Sequence, residues 1–140
     1  VIDTNLTSIY KVSKACMRGM TKAHWGRIIN ISSVVGAMGN AGQANYAAAK
    51  AGMIAFSKSV AREYGAKGIL SNVVAPGFVQ TDMIKSLPEE YLNNIIETIP
   101  MKRLGSPEDV SNLVLYLLSD KSDFTTGQTL VTDGGRVPLP

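Results

Sequence analysis

Several residue types are scarce in this sequence of 140 residues, and each scarcity excludes a class of protein. Cys16 is the only cysteine and His24 the only histidine, so we expect no internal disulfide and no metal site. No apolar run approaches the roughly 18 residues that span a bilayer, so we expect no membrane partner. The 14 lysines and arginines are scattered in runs of at most two, which argues against nucleic acid binding.

The residues that are present suit one globular domain. Apolar residues make up 45% of the sequence and charged residues 18%, values typical of globular rather than disordered proteins. A chain of this length can form one core but not two domains of ordinary size. With one thiol and no secretory signal, a reducing compartment is expected: the cytoplasm, or the plastid stroma in a plastid-bearing eukaryote.

Apolar residues recur with two different periods along the chain. Residues 1–20 carry them at intervals of three and four, which predicts an amphipathic helix. The short apolar runs "RIINIS" (27–32), "ILSNVVAP" (69–76) and "QTLVTD" (128–133) predict three buried strands. The stretches "SVVGAMGNAGQ" (33–43) and "GFVQTDM" (77–83) are predicted to be loops.

Helices are predicted between the strands. One runs from about Ala44 to Tyr64, a short one follows Pro88, and another begins at "SPEDV" (106–110) with a serine N-cap. This alternation predicts an α/β fold, a three-layer doubly wound parallel sheet of the Rossmann-like type. Because three strands are few for such a sheet, we expect residues 1–140 to be the C-terminal catalytic portion of a single domain.

The stretch "QANYAAAKAG" (43–52) sets two large polar side chains among small ones. Tyr46 and Lys50 are four residues apart, so they share a helix face; the spacing alone favours an ordinary packing helix. However, ligands of parallel α/β sheets bind at the carboxyl ends of the strands. Ser33, this helix and the loop 76–81 all meet at that edge.

These residue types suit proton transfer to an oxygen atom. A free tyrosine has a pKa of about 10, and a lysine ammonium one turn away favours the ionised form. Ser33 can hydrogen-bond the same substrate oxygen. Since no side chain can transfer the accompanying hydride, a nicotinamide cofactor is implied.

The combined pattern resembles the short-chain dehydrogenases/reductases. A serine, then Y-x-x-x-K thirteen positions later, then P-G-x-V-x-T after the next strand are that family's motifs, and the resemblance covers essentially all 140 residues. It implies that Tyr46 is the proton donor in reduction, that Ser33 orients the substrate carbonyl and that Lys50 contacts the nicotinamide ribose. Asn5 matches the family's catalytic asparagine. Taken singly, Ser33 is as readily a strand cap and Asn5 a helix-surface amide.

The resemblance also assigns a cofactor-binding loop. It implies that Tyr46 and Lys50 share nicotinamide binding with the residues of "PGFVQT", namely Pro76, Gly77, Val79 and Thr81. The glycine-rich pyrophosphate loop and the residue that selects NADH or NADPH are expected upstream of Val1.

Within the family, the stretches 26–63 and 72–83 are similar to the 3-oxoacyl-[acyl-carrier-protein] reductases of type II fatty acid synthesis. That similarity implies NADPH, an acyl carrier protein partner, an (R)-3-hydroxyacyl product and a homotetramer. It places carrier docking at Lys67 and, since His24 stands at the second basic position, at Lys22, beside the active-site entrance. The ending "RVPLP" (136–140) differs from the short apolar ending of that subfamily.

Two alternatives to this function remain. The first alternative is a different reductase of the same family, which acts on another ketone or alcohol, such as acetoacetyl-CoA, a steroid or a sugar. A non-catalytic chain would keep the sheet as an interaction scaffold. The complete set of Asn5, Ser33, Tyr46 and Lys50 argues against the scaffold.

Overall fold

A computed structural model describes residues 1–137 of the chain. Six α-helices and three β-strands lie in these residues. The helices are α1 Ser8–Ala23, α2 Val34–Met38, α3 Ala44–Tyr64, α4 Asp82–Lys85, α5 Glu89–Glu97 and α6 Pro107–Leu118, and the strands are β1 Gly26–Ile31, β2 Ile69–Pro76 and β3 Thr129–Thr132. A π-helix, Asp3–Thr7, precedes α1, and two 3₁₀ turns lie at Gly65–Lys67 and Asp120–Ser122.

The three strands form one parallel sheet in the order β1-β2-β3. Gly26 pairs with Ile69, and Val73 pairs with Thr129. The central strand β2 is buried from Ile69 to Ala75, because helices α3 and α6 both pack on it. This arrangement confirms the α/β fold with a parallel sheet. In the described residues β1 and β3 are edge strands, and Ile31 at the end of β1 is exposed.

Two predicted elements have the predicted limits. Helix α3 runs from Ala44 to Tyr64, and strand β2 matches the run "ILSNVVAP". The start of α6 is also confirmed: the Ser106 hydroxyl accepts from the Asp109 N–H, and the Asp109 carboxylate accepts from the Ser106 N–H. This reciprocal pair satisfies two N–H groups that would otherwise lack partners at the helix start.

The loops were predicted less well. The stretch 33–43 is not all loop, because residues 34–38 form α2 behind Ser33, whose side chain accepts from the Val35 N–H at 3.1 Å. Helix α4 likewise begins inside the predicted loop 77–83, with Thr81 as its N-cap. One helical turn is too short to display a period, so apolar spacing does not reveal it. The end of the "RVPLP" stretch, residues 138–140, lies outside the described residues.

None of the helices in residues 1–137 combines the length and the apolar character that a bilayer crossing requires.

Candidate active site

Lys50 is a buried cation fixed at the carboxyl end of β1. Its side chain projects from α3, only 9% of the residue is exposed, and Nζ donates a hydrogen bond of 2.9 Å to the Ile31 carbonyl. Burial lowers the pKa of Lys50 below its usual value, because the charged form loses hydration. The hydrogen bond to Ile31 holds the Lys50 side chain at the carboxyl ends of the strands, where ligands of parallel α/β sheets bind.

Two residues that the sequence did not single out hold Lys50 in this place. The Ser32 hydroxyl donates a buried hydrogen bond of 2.8 Å to the Lys50 carbonyl. Gly36 of α2 lies so close to α3 that a Cβ added there would be 2.8 Å from the Lys50 carbonyl carbon. A glycine in an otherwise apolar stretch is a signal of close backbone approach, but it does not identify the partner.

Tyr46 lies one turn before Lys50 on the same face of α3. The Lys50 Nζ is 5.6 Å from the centre of the Tyr46 ring, within the range of a cation–π contact. The Tyr46 hydroxyl forms no hydrogen bond with any residue in the range 1–137, so it is available to a ligand. A phenol beside a fixed ammonium is a suitable donor for a substrate oxygen.

Ser33 follows the end of β1 and opens into a cavity of about 310 Å³. Its Oγ accepts the Val35 N–H, which leaves the hydroxyl hydrogen free to donate. Gly77 and Phe78, at the carboxyl end of β2, line the same cavity, as does the α5 residue Tyr91. The structure thus brings Ser33 and the loop that follows Pro76 to the wall of one cavity. Tyr46 is not part of that cavity wall.

The loop after β2 is the one predicted to bind the cofactor. Phe78 and Gln80 exchange backbone hydrogen bonds with Gly105, at 2.9 and 2.8 Å. Between them, the N–H and C=O of Val79 form no hydrogen bond with another described residue. A free donor and acceptor side by side fit an amide such as the nicotinamide carboxamide. Val79 nevertheless borders a second cavity, beside Thr132, and not the Ser33 cavity.

Three other residues of the predicted cofactor site have structural contacts of their own. Pro76 ends β2. Gly77 packs closely on Asp133, because an added Cβ would be 2.7 Å from the Asp133 Cβ. The Thr81 hydroxyl accepts the Ile84 N–H at 3.4 Å as the N-cap of α4.

Asn5 lies in the π-helix that precedes α1. Its side-chain amide donates to the Val1 carbonyl at 3.2 Å. The next residue, Leu6, packs on Gly52 of α3, where an added Cβ would be 2.8 Å from a Leu6 methyl carbon. The π-helix is thereby anchored to α3 two residues beyond Lys50, and π-helical turns are frequent at functional sites.

Lys22 and Lys67 lie away from these residues. Lys22 is in the last turn of α1, just before β1, and Lys67 lies just before β2. Both lysines are therefore at the amino ends of the strands, whereas Ser33 is at the carboxyl end. The six residues of β1 span about 20 Å. The predicted docking position beside the active-site entrance requires the two lysines to lie near the Ser33 cavity. Within one chain, the structure does not place them there.

Comparisons with known proteins identify relatives of this chain. A family model described as enoyl-(acyl carrier protein) reductase matches residues 1–136. The 3-oxoacyl-[acyl-carrier-protein] reductase FabG of Pseudomonas aeruginosa is 55% identical over 135 residues. The proteins of that name from Salmonella typhimurium and Escherichia coli are each 53% identical over 135 residues. In all three comparisons the match covers 96% of this chain and 55% of the relative, so the chain spans about half the length of these curated relatives.

Proposed function

The chain belongs to the short-chain dehydrogenase/reductase family, and we propose that it carries the proton-transfer groups of an NADPH-dependent 3-oxoacyl-[acyl-carrier-protein] reductase. The observation that supports this most directly is the Lys50 ammonium, held between the Ile31 carbonyl and the Tyr46 ring. The names of relatives more than half identical to the chain support the substrate, and NADPH follows from the resemblance to those reductases.

In the proposed reaction, the substrate ketone lies in the cavity beside Ser33. The Ser33 hydroxyl donates a hydrogen bond to the ketone oxygen, and Tyr46 Oη transfers its proton to that oxygen as the carbonyl is reduced. The Lys50 ammonium stabilises the phenolate that remains. Asn5 anchors a water through which the phenolate regains a proton. The product is the (R)-3-hydroxyacyl thioester.

A bound nicotinamide would supply the hydride to the carbonyl carbon. Lys50 would hold its ribose, and the free backbone N–H and C=O of Val79 would hold its carboxamide. The neighbouring loop residues that would complete this binding surface are Pro76, Gly77 and Thr81.

Two further proposals concern partners. We expect a homotetramer, built partly on a row of small residues along α3. The row consists of Ala47, Ala51, Ala55 and Ser59, of which the last three are exposed. Carrier docking at Lys22 and Lys67 would then serve the cavity of a neighbouring copy, because these lysines lie at the amino ends of the strands, opposite the Ser33 cavity of their own chain. Reversing the Lys67 charge should raise KM for a carrier-linked substrate and leave KM for the CoA thioester unchanged. Cytoplasmic or plastid localisation stays a prediction.

The experiment that tests the reaction replaces Tyr46 with phenylalanine in the longest form of the protein that its gene encodes. Tyr46→Phe keeps the ring beside Lys50 and removes only the hydroxyl group that would donate the proton. We expect kcat on an acetoacetyl thioester to fall by about 10²- to 10⁴-fold, the usual contribution of a general acid. NADPH binding, followed by fluorescence, should remain measurable.

Tyr64→Phe is the matched control. Tyr64 lies on the same helix and has its own lysine, with the Lys67 Nζ 5.2 Å from its ring centre, but it lies at the opposite end of α3. This variant should retain full activity. Near-normal turnover by Tyr46→Phe would show that Tyr46 is not the proton donor.

A further inference from the structure

Arg136 is the only charged side chain in the wall of the Ser33 cavity, among the residues that the structure describes. Its guanidinium carbon is 4.9 Å from the centre of the Phe78 ring, and its Nε donates a hydrogen bond of 3.0 Å to the Thr98 hydroxyl. Within residues 1–137, no aspartate or glutamate lines the cavity. None of these residues therefore gives the positive charge a counter-ion in the cavity wall.

The loop that carries Arg136 is fixed by the Asp133 carboxylate. One carboxylate oxygen accepts the Gly135 N–H at 2.9 Å, and the other accepts the Val137 N–H at 2.7 Å. Gly134 and Gly135 both have positive φ, 68° and 87°, so the backbone turns sharply between these bonds. Because Asp133 also packs on Gly77, the loop after β3 is held against the loop after β2, and Arg136 is positioned over the cavity.

The guanidinium retains donors for a ligand. An arginine has five N–H groups, and Thr98 takes the one on Nε. The two terminal nitrogens form no hydrogen bond with any other described side chain or backbone group. A planar guanidinium with free terminal nitrogens matches a carboxylate, which it can bind through two parallel hydrogen bonds.

We propose that the ketone substrate carries a carboxylate that Arg136 binds, so that the acyl group is short and ends in an acid. This proposal rests on the proposed function and specifies its substrate. The cavity, at about 310 Å³, is at the small end of ligand sites. Its apolar wall, which includes Met38 and Ile95, would cover the methylene groups between the thioester end and the acid. Arg136 is thus a specificity-determining residue.

The test compares two substrates of equal length, the 3-oxoadipyl and 3-oxohexanoyl thioesters of N-acetylcysteamine. They differ only in a terminal carboxylate in place of a methyl group. The wild-type protein, in the longest form that its gene encodes, should prefer 3-oxoadipyl by about tenfold or more in kcat/KM, the contribution of a charge-assisted hydrogen bond. Arg136→Met should reverse the preference, and Arg136→Lys should retain part of it.

A merely structural role of Arg136 would give a different result. If it only stacks on Phe78 and bonds Thr98, Arg136→Met would lower kcat/KM for both thioesters by the same factor. That outcome, or a wild-type preference for 3-oxohexanoyl, would overturn the proposal.

A binding measurement separates this proposal from the reductase assignment. In the Tyr46→Phe background, calorimetric titration with pentanoate and with its neutral isostere pentanamide requires no turnover. Pentanoate should bind at least about tenfold more tightly, and Arg136→Met should remove the difference. Equal binding of the two compounds would refute the carboxylate site, even in an active reductase. Selective pentanoate binding, together with failure of the wild-type protein to reduce either thioester, would support the site and refute the reaction.

Discussion

Gly36 is the residue whose replacement tests the packing behind Lys50 most directly. In Gly36→Ala, the new Cβ would lie 2.8 Å from both the carbonyl carbon and the Cβ of Lys50, and 3.0 Å from the Ala51 nitrogen. Two of these three atoms belong to the backbone, so no change of rotamer relieves the contact. Either α2 or α3 must move.

The expected cost follows from two opposing effects. Overpacking of this kind costs about 1–3 kcal/mol of unfolding free energy. Alanine regains up to about 1 kcal/mol in a helix, because glycine loses more backbone entropy. We therefore expect Gly36→Ala to lower the unfolding free energy by about 1–2 kcal/mol. Activity should fall as well, because the shift disturbs the hydrogen bonds from Lys50 to Ile31 and from Ser32 to Lys50.

Urea unfolding followed by circular dichroism measures this change, with Gly19→Ala as the control. Gly19 lies inside α1, and a Cβ added there would meet nothing within 4 Å. The same substitution should therefore raise the unfolding free energy by about 0.5–1 kcal/mol. If Gly36→Ala were as stable as the wild type, or more stable, the close approach of α2 to α3 would be wrong.

Three further predictions concern charge and assembly. Burial lowers the pKa of Lys50 below its ordinary value of 10.5, so at pH values between the two the unfolded state binds more protons than the folded state. The free energy of unfolding should therefore rise with pH in this range. Urea titrations of Lys50→Met should not show this rise. A hydrogen bond from Arg103, assisted by Ser106, lowers the pKa of Asp109 from 3.8 to about 2. The ionised carboxylate therefore stabilises the folded state, and this stabilisation is lost as the pH falls from 3.8 to about 2. The free energy of unfolding of Asp109→Asn should not show this decrease. Ala55 is exposed on α3, so Ala55→Arg should split the proposed homotetramer in sedimentation experiments, whereas the off-row control Ala66→Arg should not. A wild-type protein that already sediments as a monomer would contradict the proposed assembly.

The sequence alone determined the features whose signals lie within a few residues of one another. The limits of α3 and β2 follow from apolar runs that glycines interrupt, and the start of α6 follows from Ser106 and Asp109, three positions apart. The shared helix face of Tyr46 and Lys50 follows from their spacing. In each case the interacting groups are neighbours along the chain, so local geometry decides the result.

Tertiary structure alone decided which distant groups meet. The 2.9 Å bond from Lys50 to Ile31 joins residues 19 positions apart, and Arg136 lines a cavity with Ser33, more than a hundred positions away in sequence. The same packing places Lys67 at the amino end of β2, and residues 34–38, which were predicted as loop, form a helix that packs on α3 at Gly36. Such contacts depend on how helices pack on the sheet, and neither the period nor the residue types of a single segment carry that information.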